Sequence, residues 1–191
     1  MATDALYIQN KRLKRDLYDI HNNKDTYYQL VQDDSNKLKF YFLFCGAEKT
    51  SFEGGYYIGY IQLSDDYPFG SPNYYMLTIS DRMEVNKTIC FTNTSYYKDS
   101  LESTASAALS VSALFLQFYS SFNDENDLTG HSGHLHYKSK DSRILLAKNS
   151  IKYNIDNYRE ILLKFDKFIK SRDKEITLRT IREVEEYLKN N

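Results

Sequence analysis

Apolar positions recur with a helical period at the start of the chain. Leu6, Leu13, Leu17 and Ile20 fall on one face, while Lys11, Lys14 and Arg15 lie toward the other. The pattern predicts an amphipathic N-terminal helix capped by Thr3 or Asp4. From Tyr27 the period changes. YYQLVQ, LKFYFLFC, YYIGYIQL and YYML are short runs rich in aromatic and branched residues, divided by DDSN, by Gly46 to Gly55, and by SDDYPFGSP. Such runs read as strands. Their connections are too short to hold the crossover helix that parallel strands require, so four strands in an antiparallel meander are expected.

After Leu77 the pattern is irregular through Ser103, interrupted only by the apolar triplet Ile89, Cys90 and Phe91. Long irregular segments inside compact domains are commonly functional or disordered, and this triplet can anchor the segment to a core. Helical patterning resumes over Ala105 to Phe122 and again from about Ser142 to Ser171, with a polar loop between. The run EITLRTIREVEEYLKN sets Ile176, Ile181, Val184 and Leu188 at near-helical spacing. The expected architecture is α+β: a helix, a four-stranded meander, an active-site loop, then central and C-terminal helices. A core domain over 4–171 and a C-terminal amphipathic helix over 172–191 follow.

Composition narrows the classes of function. The chain has 191 residues, 41% hydrophobic and 27% charged, with only two prolines, as expected of one globular domain without long linkers. A net charge of −1 supplies no global field toward nucleic acid or acidic lipid, so neither is an expected partner. The first twenty residues are charged where a signal peptide needs an apolar run, and no stretch reaches the roughly twenty apolar residues of a membrane span. A cytoplasmic protein without membrane insertion is the expectation. Cys45 and Cys90 are the only cysteines, so free thiols are expected rather than a disulfide framework. The abundance of Lys, Asn, Ile, Tyr and Phe is compatible with an AT-rich genome, including that of a large virus.

Individual residues admit two readings each. A lone cysteine between Ile89 and Phe91 is by default a buried small hydrophobe, yet it also sits on the irregular segment where an accessible nucleophilic thiol would be presented. Tyr67 and Phe69 are either core aromatics at a strand end or, with Pro68 and Pro72 stiffening the loop, an exposed contact. Gly54 and Gly55 are expected to enter the third strand with positive φ. HSGHLH places His131, His134 and His136 within six residues, but the loop is polar and glycine-containing and zinc needs a fourth partner and a rigid frame. A solvated loop is expected there, with no metal and no cofactor.

Three blocks, in order, resemble the ubiquitin-conjugating enzymes, especially their J-type branch. FEGGYYIGYIQLSDDYPFGSP (Phe52 to Pro72) is similar to the family's Gly-Gly strand followed by Tyr-Pro-Phe. MLTISDRMEVNKTICFT (Met76 to Thr92) is similar to the J-type approach to the active-site cysteine, and RILLAKNSIKYN (Arg143 to Asn154) to a J-type helix. The resemblance spans roughly residues 4 to 165. It implies that Cys90 carries ubiquitin as a thioester for transfer to a lysine or hydroxyl acceptor. It further implies that Phe69 and Pro68 contact a ubiquitin ligase, and that Lys11, Lys14 and Arg15 dock the ubiquitin-activating enzyme. The family's active-site Asn, which supports the oxyanion, is replaced by Ser80. The J-type histidine falls on Tyr97, its two tryptophans on Leu101 and Ala105, while the acidic residue and following hydroxyl persist as Asp99 and Ser100. The J-type membrane tail is not expected here. The rival expectation is a weak or inactive member acting as a binding or structural subunit.

Overall fold

A computed structural model describes residues 2–90, 94, 107–125, 133–135 and 139–171. The expected helix over 172–191 lies outside the described residues. The element order is α1 (Ala2–Asn22), β1 (Tyr28–Gln32), β2 (Lys39–Cys45), β3 (Tyr56–Gln62), β4 (Asn73–Met76), α2 (Val111–Asn123), α3 (Lys140–Leu163) and α4 (Asp166–Ser171). The strands form one antiparallel sheet in the order β1-β2-β3-β4, the meander the short connections require.

β2 explains why its sequence reads as a continuous apolar run rather than an alternation. Phe40, Phe42 and Phe44 face one side, where Leu114, Phe115, Phe118 and Phe122 of α2 and Leu13 of α1 cover them. Tyr41, Leu43 and Cys45 face the other, covered by Ile155 and Leu162 of α3, by Phe165, and by Phe168 of α4. Successive strand residues point to opposite faces, so a strand buried on both sides loses its polar phase. The first layer is aromatic: Phe42 lies 5.3 Å from Phe115 and 5.2 Å from Phe118, and Tyr74 stacks on Phe118 at 5.1 Å.

Several boundaries differ from expectation for identifiable reasons. α1 begins at Ala2, so Thr3 and Asp4 lie inside it rather than capping it. Its inner stripe is Gln9, Leu13 and Asp16, with Leu17 and Ile20 packed behind, whereas Leu6 is 52% exposed beside the β3–β4 loop. α2 starts at Val111, later than the apolar pattern suggests. Ser110 is its N-cap, accepting from the Ala113 amide at 3.2 Å. The carbonyls of Ala107 and Ala108 instead accept both terminal nitrogens of Arg12 at 3.0 Å. The last helical region is divided, with buried Phe165 between α3 and α4. Of the glycine pair only Gly54 has positive φ. Gly55 is required by space, since a Cβ there would lie 2.4 Å from the Tyr57 hydroxyl.

Polar pairs inside the fold register α3 against the sheet. Thr78 Oγ1 accepts from the Ile58 amide at 2.8 Å and donates to Asn154 Oδ1 at 2.6 Å, and Asn154 Nδ2 donates to the Tyr56 carbonyl at 2.8 Å. Ser150 Oγ accepts from the Tyr56 amide at 2.7 Å. Thr78 and Asn154 are fully buried, so removing one partner leaves the others desolvated and unpaired. Thr78→Val is therefore expected to cost about 1–3 kcal/mol of unfolding free energy, read as a lower urea midpoint at unchanged slope. A midpoint equal to the parent's would mean that the network adds nothing net.

Candidate active site

The segment that leaves β4 doubles back along it. The amides of Leu77 and Thr78 both donate to the Ile58 carbonyl, at 2.9 and 3.1 Å, ending the pairing with β3. A tight turn follows at Ser80 to Met83, all buried, with Asp81 at φ 55. The return is pinned residue by residue: Val85 bridges Met76, the Asn86 amide donates to the Met76 carbonyl at 2.8 Å, Thr88 bridges Tyr75, and the Ile89 amide donates to the Tyr74 carbonyl at 3.0 Å. Ile89 is fully buried and acts as the anchor expected of the apolar triplet. The next residue is Cys90, a free thiol at intermediate burial, carried past the outer strand of the sheet. Cys45 is likewise in no disulfide but is buried among the residues covered by α3 and α4, which keeps it away from macromolecular reactants.

Basic side chains clamp this segment from three directions. Arg143, only 1% exposed at the start of α3, donates from Nε to the Asp81 carbonyl at 3.3 Å and lies 5.2 Å over the Phe52 ring. Arg82, also buried, donates from Nη2 to the Ser121 carbonyl of α2 at 3.1 Å. His134 is half-buried, with Nε2 3.1 Å from the Cys90 carbonyl. This overturns the solvated reading of the histidine run at that position, because the backbone of Gly133 to Leu135 is paired with Arg82 to Glu84 and so carries His134 inward. His131 and His136 lie outside the described residues. Among the described residues no group of three or more His, Cys, Asp or Glu side chains is arranged for a metal.

The other expected site residues fall into three places. Ser80 is 1% exposed at the base of the turn, where its Oγ accepts from the amides of Arg82 and Met83 at 3.3 and 3.4 Å. Asp99 and Ser100, with Tyr97, lie outside the described residues. Phe69 is 69% exposed, which decides between its two readings, and Pro68 beside it is half-buried. Tyr67, by contrast, is a core aromatic: its hydroxyl donates to Asp16, whose other oxygen accepts from Arg12 Nε at 3.2 Å. Burial holds the Asp16 carboxyl above its usual range despite these bonds, and pushes the Tyr67 phenol up. The network fixes the β3–β4 loop to α1, so Phe69 and the exposed Leu6 border one shallow groove with Gln9, Asp66 and Gly70. Lys11, Lys14 and Arg15 are exposed along α1.

The meander with helices on both faces, and a long segment returning along the outer strand to a half-buried cysteine, define an α+β domain of the ubiquitin-conjugating type. A crystal structure from Plasmodium yoelii assigned to a ubiquitin conjugating enzyme superposes with a TM-score of 0.59 at 22% identity, over 74% of this chain and 94% of that one. The ubiquitin-conjugating enzyme family matches residues 12–127. The Dictyostelium discoideum ubiquitin-conjugating enzyme E2 J2-like protein is 30% identical over 76% of this chain and 81% of its own length. Ubiquitin-conjugating enzyme E2 32 of Arabidopsis thaliana is 28% identical over 90% of this chain and 56% of its own. Human ubiquitin-conjugating enzyme E2 J2 is 33% identical over 47% of this chain and 34% of its own. The chain belongs to the ubiquitin-conjugating enzyme family, close to its J2 branch. Among the described residues no helix is long and apolar enough to cross a membrane.

Proposed function

We propose that this protein accepts ubiquitin as a thioester on Cys90 and transfers it, in the cytoplasm, to a lysine or hydroxyl acceptor. The observation that carries the reading is the placement of Cys90, a half-buried thiol directly after a fully buried anchor, on an irregular segment of a conjugating-type domain. The Cys90 thiolate attacks the carbonyl of ubiquitin's thioester on the activating enzyme and expels that enzyme's thiolate. The acceptor then attacks the Cys90 thioester, gives up its proton and releases the Cys90 thiolate. No oxidant, metal or cofactor enters the balance. Incubation with ubiquitin, activating enzyme and ATP tests the reading: one ubiquitin adduct that disappears on reduction is expected. No adduct under conditions that load a control conjugating enzyme would favour a binding or structural subunit, the reading to which the loss of the family's Asn at Ser80 points.

The exposed residues of α1 and the loop at Phe69 serve macromolecular partners in this reading. Lys11, Lys14 and Arg15 attract the activating enzyme, and Phe69 with Pro68 contacts a ligase, the neighbouring Leu6 extending the apolar contact. Exposed charges steer association while contributing little to folding. Lys11→Glu with Arg15→Glu is expected to slow loading roughly tenfold at low salt, with the difference shrinking as salt rises and the melting temperature unchanged. Equal loading rates at low salt would remove the docking assignment.

A further inference from the structure

We infer that His134 is a positioning residue for Cys90, holding the nucleophile's main chain through a hydrogen bond from Nε2 to the Cys90 carbonyl; its kinetic consequence rests on the conjugation reading above. A carbonyl oxygen only accepts, so the 3.1 Å contact requires the proton on Nε2. His134 is not a chance neighbour, because its backbone is built into the site. The Glu84 amide donates to the Gly133 carbonyl at 2.8 Å, the Leu135 amide donates to the Arg82 carbonyl at 3.1 Å, and His134 bridges Met83 between them. Gly133 supplies the close approach. At φ 79 it presses on the cysteine-bearing segment so tightly that a Cβ would lie 2.7 Å from the Thr88 carbonyl oxygen and 2.9 Å from Ile89 Cα. Neither contact is with a flexible side-chain end, so the neighbours cannot yield cheaply.

Three segments thus converge on the nucleophile. Residues 80–84 form the turn, Thr88 and Ile89 are tied to β4, and Gly133 to Leu135 is paired with the turn while His134 reaches to Cys90. The Ile89 amide fixes the chain on one side of Cys90 and the His134 bond fixes the carbonyl on the other. Together they restrict the backbone dihedrals that aim Sγ. A thioester exchange needs the attacking sulfur aligned on the incoming carbonyl, and small misplacements of reacting groups cost rate rather than binding. His134 is therefore assigned an action through Cys90, whose carbonyl it holds.

The test compares the parent, His134→Ala and His134→Gln, since a glutamine amide offers an N–H donor at similar reach. With activating enzyme saturated by ubiquitin, His134→Ala is expected to lower the limiting rate of Cys90 loading about tenfold with its half-saturation concentration unchanged, and His134→Gln to recover most of the loss. Recovery by glutamine at matched melting temperature is not expected from a histidine that merely fills space. Loading that is unaffected by His134→Ala, or equally impaired in both variants, would overturn the inference. A second arm uses no ubiquitin. In the parent at a pH where the ring is neutral, 15N shifts should report the His134 proton on Nε2; a proton on Nδ1 would overturn the assignment whether or not the protein loads. A parent that fails to load while showing the Nε2 proton would remove the conjugation reading and leave the hydrogen bond standing.

Discussion

Cys90→Ala is expected to abolish the reducible ubiquitin adduct entirely, while Cys45→Ala leaves it intact. The contrast follows from placement, since neither cysteine is in a disulfide. Cys45 ends β2, pairs with Tyr56 and is buried in the cluster that α3 and α4 cover, so it is not presented to ubiquitin's carboxyl terminus in the folded state. Cys90 is half-buried at the end of a segment that the sheet fixes through Ile89. Cys90→Ser should still accept ubiquitin, but slowly and as an oxyester that survives reductant, because a serine hydroxyl is a far weaker nucleophile than a thiolate at neutral pH. The measurement is a non-reducing gel of each variant beside its reduced duplicate. An adduct that persists unchanged in Cys90→Ala would place the reactive group elsewhere and end the assignment. Cys90 is half-buried and the fully buried Ile89 supplies the anchor beside it, so the alanine variant should fold, and its melting temperature provides the control.

How far the sequence discloses this site depends on which physics each residue obeys. The meander was legible because strand period, turn residues and connection length are local properties, and they suffice to order four strands. β2 gave no face preference, since both of its faces are covered, and although helical patterning from about Ser142 to Ser171 was legible, its placement on the second side of the sheet became visible only through packing. The late start of α2 had a local signal that the apolar count overrode: Ser110 directly before Val111 is an N-cap pattern. Leu6 obeyed the helical period yet lies in the open, because periodicity assigns a face and not how far that face extends over the sheet. His134 was illegible for a different reason. Its partner is 44 residues away, and a histidine in a polar glycine-containing loop carries no mark of a docked strand. The single hint was Gly133, a glycine whose positive φ and lack of Cβ are both used. Phe69 and Cys90 were each balanced between a core and an exposed reading by composition alone; Phe69 is exposed, and Cys90 lies between the two at intermediate burial.

In the proposed reaction Ser80 stands where the family resemblance leads one to expect an Asn, and Ser80→Asn is expected to speed discharge of the loaded protein to free lysine by about 10². When an amine attacks the thioester the carbonyl oxygen becomes an oxyanion, and one positioned donor at such an oxygen is typically worth about 10²–10³ in rate. Ser80 offers a short hydroxyl at a buried position, and its oxygen already accepts the long bonds from the Arg82 and Met83 amides. Its present work is to brace the turn that Asp81 enters at positive φ. An asparagine at the first position of such a turn keeps the bracing acceptor through its side-chain carbonyl and adds an amide donor on a longer arm. Ser80→Ala separates the two contributions: it removes the brace at about 1 kcal/mol of stability and adds no donor, so it should give no gain in discharge. The comparison is single-turnover discharge of preloaded protein at matched fraction folded, with lysine and with a hydroxyl acceptor in parallel, while loading changes little. Rapid parental discharge to lysine that Ser80→Asn does not improve would show that another group stabilises the oxyanion, with Asp99, Ser100 and Tyr97 the next residues to replace.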